Sequence, residues 1–250
     1  MQNFKIPISL RRAFLGRRKG EERPPAIVEW IEALIWALVV TTIIKFLLIQ
    51  AYRIPTGSME ETLLVGDFLF VIKTTYGYNI PFTKIKILKG RDPRRGEIVV
   101  FRNPKDNRPF VKRCIGLPGD TVEIRHKELY INGEKQTEYY VIHRDPYEYP
   151  GVEGVSMEDY QSLWEKGELG RNFGIFCRDN FGPVIVPPGY ILVLGDNRDN
   201  SHDSRFWGPL DINLLMGKPL FIYWSWRPDV PIWNITKKVR WKRIGKIIKD

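Results

Sequence analysis

Residues 26–49 read AIVEWIEALIWALVVTTIIKFLLI, and this run limits the chain more than any other feature. Its 24 residues suffice for a helix across a ~30 Å hydrocarbon core, which takes about 20. Glu29 and Glu32 lie near its start and Lys45 near its end, where a charged tip can stay wet. The alternative is a buried amphipathic helix. It fits less well, because the apolar residues go round the whole helix rather than along one stripe. The run is long for a cleaved leader, and no small-x-small site follows in Gln50-Ala51-Tyr52-Arg53-Ile54-Pro55. An uncleaved single-pass anchor over 26–49 is expected. The tail 1–25 carries Lys5, Arg11, Arg12, Arg17, Arg18, Lys19 and Arg23 against Glu21 and Glu22. Such a cluster keeps its end in the cytoplasm and sends residues 50–250 across the cell's inner (plasma) membrane.

The formal net charge of +10 fits nucleic acid or anionic lipid headgroups. The apolar run favours membrane lipid, and no nucleic acid is expected as a partner. Several of the tryptophans sit near the two ends of the chain, among them Trp30, Trp36, Trp233 and Trp241. Such rings suit a membrane interface as well as a core. Cys114 and Cys177 are the 2 cysteines, too few for a disulfide framework, so they do not fix the redox compartment.

After residue 49 the pattern changes to short strand-like runs: 67–73, 97–101, 110–115, 121–124, 128–131, 190–194 and 219–223. Asn132-Gly133 marks a hairpin, and Pro118-Gly119 and Pro188-Gly189 mark further turns. Regular spacing of short strands predicts a mostly β, antiparallel catalytic domain. The stretch 138–186 is rich in Tyr, Glu, Gly and Pro with weak periodicity. A smaller lid-like subdomain, inserted over about 125–186, is expected there.

Three segments can carry chemistry. In Ile54-Pro55-Thr56-Gly57-Ser58-Met59 a tight turn presents the Ser58 hydroxyl, with Thr56 just before it. A serine hydroxyl needs a base to attack a carbonyl. His126, His143 and His202 leave a Ser-His-Asp arrangement open, without a supporting local signature. A neutral lysine serves equally, and burial can lower its pKa by roughly 3–5 units. Strand alternation puts Lys112 on one face with Phe110 and Cys114, which forces an ammonium among apolar groups. The third segment, 195–205, is dense in hydroxyls, carboxylates and arginines. Asp–Arg pairs that stiffen a loop fit it better than a calcium site, because Arg198 and Arg205 intrude and no glutamate stands at the required offset.

Together and in this order, these segments resemble the bacterial type I signal peptidases (leader peptidases). The resemblance rests on Gly57-Ser58-Met59 after the apolar run, Arg95-Gly96-Glu97-Ile98-Val99-Val100-Phe101, Lys112-Arg113 with Gly116-Leu117-Pro118-Gly119-Asp120, residues 195–208, and Arg243-Ile244-Gly245. It covers most of the chain except the tail and 138–186. It implies a serine endopeptidase with Ser58 as nucleophile and Lys112 as general base. The Thr56 hydroxyl and the Ser58 N–H would form the oxyanion hole, with Ser201, Asp203 and Arg205 supporting the dyad. Ile54, Met59, Leu63, Val100, Phe110 and Val111 would line shallow pockets for small residues at the first and third positions before the cut. The implied partners are the signal peptides of preproteins and membrane lipid. No metal or cofactor is needed, and the protein would act as a monomer. Glu61 stands where the family pattern often has Pro. Eukaryotic and archaeal relatives have His at the place of Lys112, so the resemblance is to the bacterial or organellar type.

Two other readings compete. Self-cleaving repressor-type Ser–Lys proteins share the chemistry, but the apolar run and the lack of an N-terminal helix-turn-helix speak against one. A membrane-tethered basic β module without catalysis predicts that Ser58→Ala keeps full function.

Overall fold

In the computed structural model the described residues are 25–79, 86–88 and 90–250. The expected basic tail 1–25 lies, but for Pro25, outside them. The chain divides into two compact units, between Leu48 and Ile49. The first contains helix α1, Ala26–Leu47, whose apolar side chains Ile27, Trp30, Leu34 and Leu38 are exposed. Among the described residues no helix is long and apolar enough to cross a membrane. In α1, Glu29 and Glu32 interrupt the first turns. The helix also stops short of the expected boundary. Ile49 opens strand β1, because it pairs with Ile72.

The second unit is built mainly of short antiparallel strands. They are β1 Ile49–Arg53, β2 Asp67–Ile72, β3 Tyr78–Asn79, β4 Lys86–Leu88, β5 Ile98–Arg102, β6 Pro109–Gly116, β7 Thr121–Arg125, β8 Glu128–Ile131 and β9 Glu134–Lys135. Helices α2 Met157–Glu165 and α3 Leu169–Phe173 follow. Next come β10 Phe181–Ile185, β11 Tyr190–Leu194, helix α4 Ser204–Trp207, β12 Leu210–Asp211, β13 Leu215–Ser225 and the short helix α5 Ile235–Lys238. The main sheet has 7 strands in the order β1-β2-β13-β5-β6-β11-β12. A second sheet has 4, in the order β10-β7-β8-β9, while β3 pairs with β4. Every pairing within these sheets is antiparallel.

Strands β5 and β6 are central to the site. Their register sets Val99 beside Lys112, Val100 beside Val111 and Phe101 beside Phe110. Apolar residues cover both faces. Val99, Phe101, Cys114 and Phe110 join one cluster with Ile191, Val193 and Trp207. Ile98, Val100 and Val111 join another with Ile54, Met59, Leu63 and Leu69. Alternation along β6 therefore sends Phe110 and Cys114 into one core and Val111 into the other.

The second sheet has its own core, in which Val122, Ile124, Leu129 and Ile131 pack against Tyr160 and Trp164 of α2. Ser156 caps α2 by accepting the backbone N–H of Asp159. Between β8 and β9 the chain turns through Asn132 at φ 52° and Gly133 at φ 82°. Two successive positive values make the hairpin turn that Asn-Gly favours. Trp164 Nε1 donates to the carbonyl oxygen of Ser204 at 2.7 Å, tying α2 to α4.

Candidate active site

Ser58 lies between β1 and β2, on a turn where Glu60 N–H donates to the Gly57 carbonyl at 3.1 Å. The next side chains inward, Met59 and Leu63, are buried and anchor the turn in the core. Ser58 itself is half-buried and Thr56 is exposed. Glu61 adopts φ 75°, a conformation that proline, fixed near −65°, cannot take.

Lys112 is 3 % exposed. Its Nζ lies 6.0 Å from the centre of the Phe110 ring. Burial lowers the amine from 10.5 to about 8; Asp203 and Asp196 pull upward through their charges, and Arg205 adds to the lowering. An amine lowered to about 8 is neutral in about a tenth of molecules at pH 7, far more than an unshifted lysine. Arg113, the next residue, goes the other way. It donates to both carboxylate oxygens of Asp196, from Nε at 2.8 Å and Nη2 at 2.7 Å, and to the Gly96 carbonyl at 2.7 Å. Asp196 also accepts the Thr62 hydroxyl at 2.6 Å. That carboxylate joins β6 to the turn carrying Ser58.

Residues 195–205 stiffen as Asp–Arg pairing requires. Arg205 donates to Asp203 from Nε and Nη2, both at 2.8 Å, and to the carbonyl oxygens of Arg178 and Arg198. Arg198 pairs outside the segment, with Glu138 at 2.6 Å. Burial pushes the Asp203 carboxyl up, but the charge and hydrogen bonds of Arg205, with the charge of Lys112 and the Ser201 hydroxyl, together hold the group below its usual range. Ser201 Oγ is buried near Asp203, yet it makes no hydrogen bond of good geometry among the described residues. A buried hydroxyl in that state is open to a partner. Asn197 binds the Ser58 turn, donating its backbone N–H to Ser58 O at 3.1 Å and its side-chain amide to Gly57 O at 3.3 Å.

A cavity of about 730 Å³ brings these segments together. Ile54, Thr56, Ser58, Met59, Phe110, Val111, Lys112 and Ser201 all line it. Leu63 and Val100, expected as pocket walls, instead lie wholly buried behind it, in the cluster under the turn. Asp203 and Arg205 sit behind Ser201 rather than on the wall, buried in their own pair. Sequence reasoning missed Tyr52, Arg108, Asn200 and Phe206, which also face the cavity. Tyr52 and Arg53 had a usable signal, since they precede the Ile54 turn on what becomes an edge strand. Of the three histidines only His202 reaches the cavity, stacked on Phe206. His126 is exposed beside Glu148, and His143 faces Asp199.

A hydroxyl and a partly neutral amine thus share one wall-to-wall space with free strand edges beside it. Such an arrangement can activate the hydroxyl for attack on a carbonyl. Residues 27–224 match the family described as signal peptidase, peptidase S26. Signal peptidase I of Pseudomonas aeruginosa is 34% identical over 239 residues, covering 90% of this chain and 81% of that one. Signal peptidase I of Rickettsia typhi is 33% identical over 244 residues, covering 86% of this chain and 90% of that one. A crystal structure of a signal peptidase I from Enterococcus faecalis V583 aligns with TM-score 0.37 and 31% identity, over 51% of this chain and 97% of that one. The chain therefore belongs to the signal peptidase family, peptidase S26, and is a serine peptidase, a hydrolase.

Proposed function

We propose that this chain cuts signal peptides from exported preproteins by a Ser58–Lys112 dyad, through an acyl-enzyme. The observation that carries the reading is Lys112 itself: a lysine 3 % exposed, with its amine lowered to about 8, on the wall of the cavity that Ser58 lines. Neutral Lys112 takes the Ser58 proton as Oγ attacks the scissile carbonyl. The Ser58 N–H and the Thr56 hydroxyl receive the oxyanion; loss of one such donor costs about 2.7–4 kcal/mol. Protonated Lys112 then passes its proton to the leaving amine and activates water to release the acyl group. Ser201 fixes the amine, and the Asp203–Arg205 pair fixes Ser201.

The substrate binds extended. Residues 109–112 of β6 lie before the stretch that pairs with β11, and β1 is an edge strand, so both offer main-chain groups to a peptide. Ile54, Met59, Phe110 and Val111 supply apolar walls. Walls of this kind suit small residues, and cleavage follows small-x-small sites. We further propose that α1 anchors the chain in the cell's inner membrane as a single pass. Its two carboxylates would stay at the headgroup level, the tail 1–25 on the cytoplasmic side and residues 50–250 across the membrane. The exposed apolar side chains of α1 and the basic tail support this reading.

The test is cleavage of a purified preprotein by the wild type, Ser58→Ala and Lys112→Ala. Both variants lose cleavage while circular dichroism shows them folded. Normal cleavage by Lys112→Ala would mean that another base is at work.

A further inference from the structure

Asn197 ties the loop that carries Ser201 to the nucleophile's turn. A second set of ties runs outward, to the segment 142–145 that follows β9. Ile142 N–H donates to Asp196 O at 2.9 Å, and Arg198 N–H donates to Ile142 O at 3.2 Å. Just ahead of Ser201, the Asp199 side chain is 6 % exposed. Its Oδ2 accepts the backbone N–H of Arg144 at 2.6 Å and of Asp145 at 2.8 Å. Its Oδ1 lies 3.3 Å from His143 Nδ1, 3.7 Å from Lys127 Nζ and 3.9 Å from Arg178 Nε. A carboxylate with this many donors on both oxygens has no freedom to rotate. Arg144 closes the circuit, its guanidinium 3.2 Å from Glu60 on the turn that holds Ser58.

We propose that Asp199 is a positioning residue for the peptidase reaction. It clamps the 142–145 segment to the 196–201 loop and so sets where Ser201 and Ser58 lie along the cavity. The proposal rests on the Ser58–Lys112 reading. The Asp199 carboxylate is committed to these donors, so its effect on chemistry passes through Ser201 and the Ser58 turn.

The experiment uses the full chain and a purified preprotein, with kcat and KM measured separately for Asp199→Asn and Asp199→Glu. Asparagine removes the charge and has one acceptor oxygen, so its NH2 must face either the Arg144 and Asp145 N–H groups or the side chains of Lys127 and Arg178. Glutamate keeps the charge and displaces it by one methylene. In whichever variant is folded by circular dichroism, kcat per folded molecule falls by about 10- to 100-fold, because small misplacements of reacting groups cost that much. KM stays within about twofold of the wild type: Asp199 lines the cavity, but its carboxylate is turned to these donors, and the apolar walls Ile54, Met59, Phe110 and Val111 are unchanged. A purely structural Asp199 would lower the melting temperature and the folded fraction but leave kcat per folded molecule unchanged. That result overturns the proposal, as does a loss confined to KM. Ser58→Ala run alongside separates the two readings. If it cleaves, the dyad reading fails. If it is dead while a folded Asp199 variant matches the wild type, only the positioning role fails.

Discussion

The backbone N–H of Asn197 donates to the carbonyl oxygen of Ser58 at 3.1 Å. Through this bond the Ser58 turn is built on a loop far away in sequence. The neighbouring Gly195 brings the two segments closer still. A Cβ placed on it would stand 2.5 Å from the Ser58 carbonyl oxygen and 2.3 Å from Ser201 Oγ. Neither distance is tolerable for carbon against oxygen, so this position has no room for a side chain.

Gly195→Ala is therefore expected to push the Ser58 turn and Ser201 apart. Overpacking of this kind costs about 1–3 kcal/mol of stability. The displaced groups lose about 100-fold in cleavage rate. Preprotein cleavage and denaturant unfolding of the same sample check both numbers. A fully active Gly195→Ala would show that the close approach does not matter to the reaction.

The pH profile follows from burial of Lys112. Its amine is lowered from 10.5 to about 8, and in the proposed mechanism the deprotonated form acts as the base. Single-turnover kcat/KM should rise with pH and level off above about 8. Stability carries the matching sign. The fold disfavours the ammonium, so the cost is full below the folded value and fades as pH rises from about 8 to 10.5. At neutral pH the penalty is about 3 kcal/mol. Lys112→Met should unfold at higher denaturant than the wild type at pH 7, and the gap should shrink as pH rises from about 8 to 10.5. A gap that does not change with pH would mean that the amine is solvated in the native state.

The Arg113–Asp196 pair, with side chains 2% and 1% exposed, predicts a different signature. Arg113→Ala strands a buried carboxylate and should cost about 3–5 kcal/mol. Replacing both partners with apolar residues should recover most of that loss, because no charge is left unpaired. A double-mutant cycle by denaturant unfolding measures it. Additive losses would show that the two side chains do not act as a unit.

Much of the fold could be read along the chain. The run 128–131 forms β8 with those bounds, and Asn132-Gly133 turns as its composition demands. The run 190–194 forms β11. The reading fails where a strand is irregular. The stretch 219–223 belongs to the longer β13, Leu215–Ser225, whose register shifts twice against β2, so alternation is broken along it. Strand β10 escaped notice because Gly182 and Pro183 sit inside it. Helix α2 escaped although Tyr160, Leu163 and Trp164 recur at helical spacing and the Ser156 cap was there to be read.

At the candidate site, the sequence alone determined which residues have the right chemistry. A hydroxyl on a Gly-containing turn, a lysine between Phe110 and Cys114 on an alternating strand, and a loop rich in Asp and Arg are local facts. The tertiary structure decided how those groups behave. It put Leu63 and Val100 behind the cavity wall, and it gave Asp199 the backbone of a distant segment to hold. It also set the acidity of Lys112, because desolvation and charge act through space. Which atoms surround an amine depends on every segment packed against it, here β5, the Ser58 turn and the Asp203–Arg205 pair, and no stretch of β6 read alone contains them.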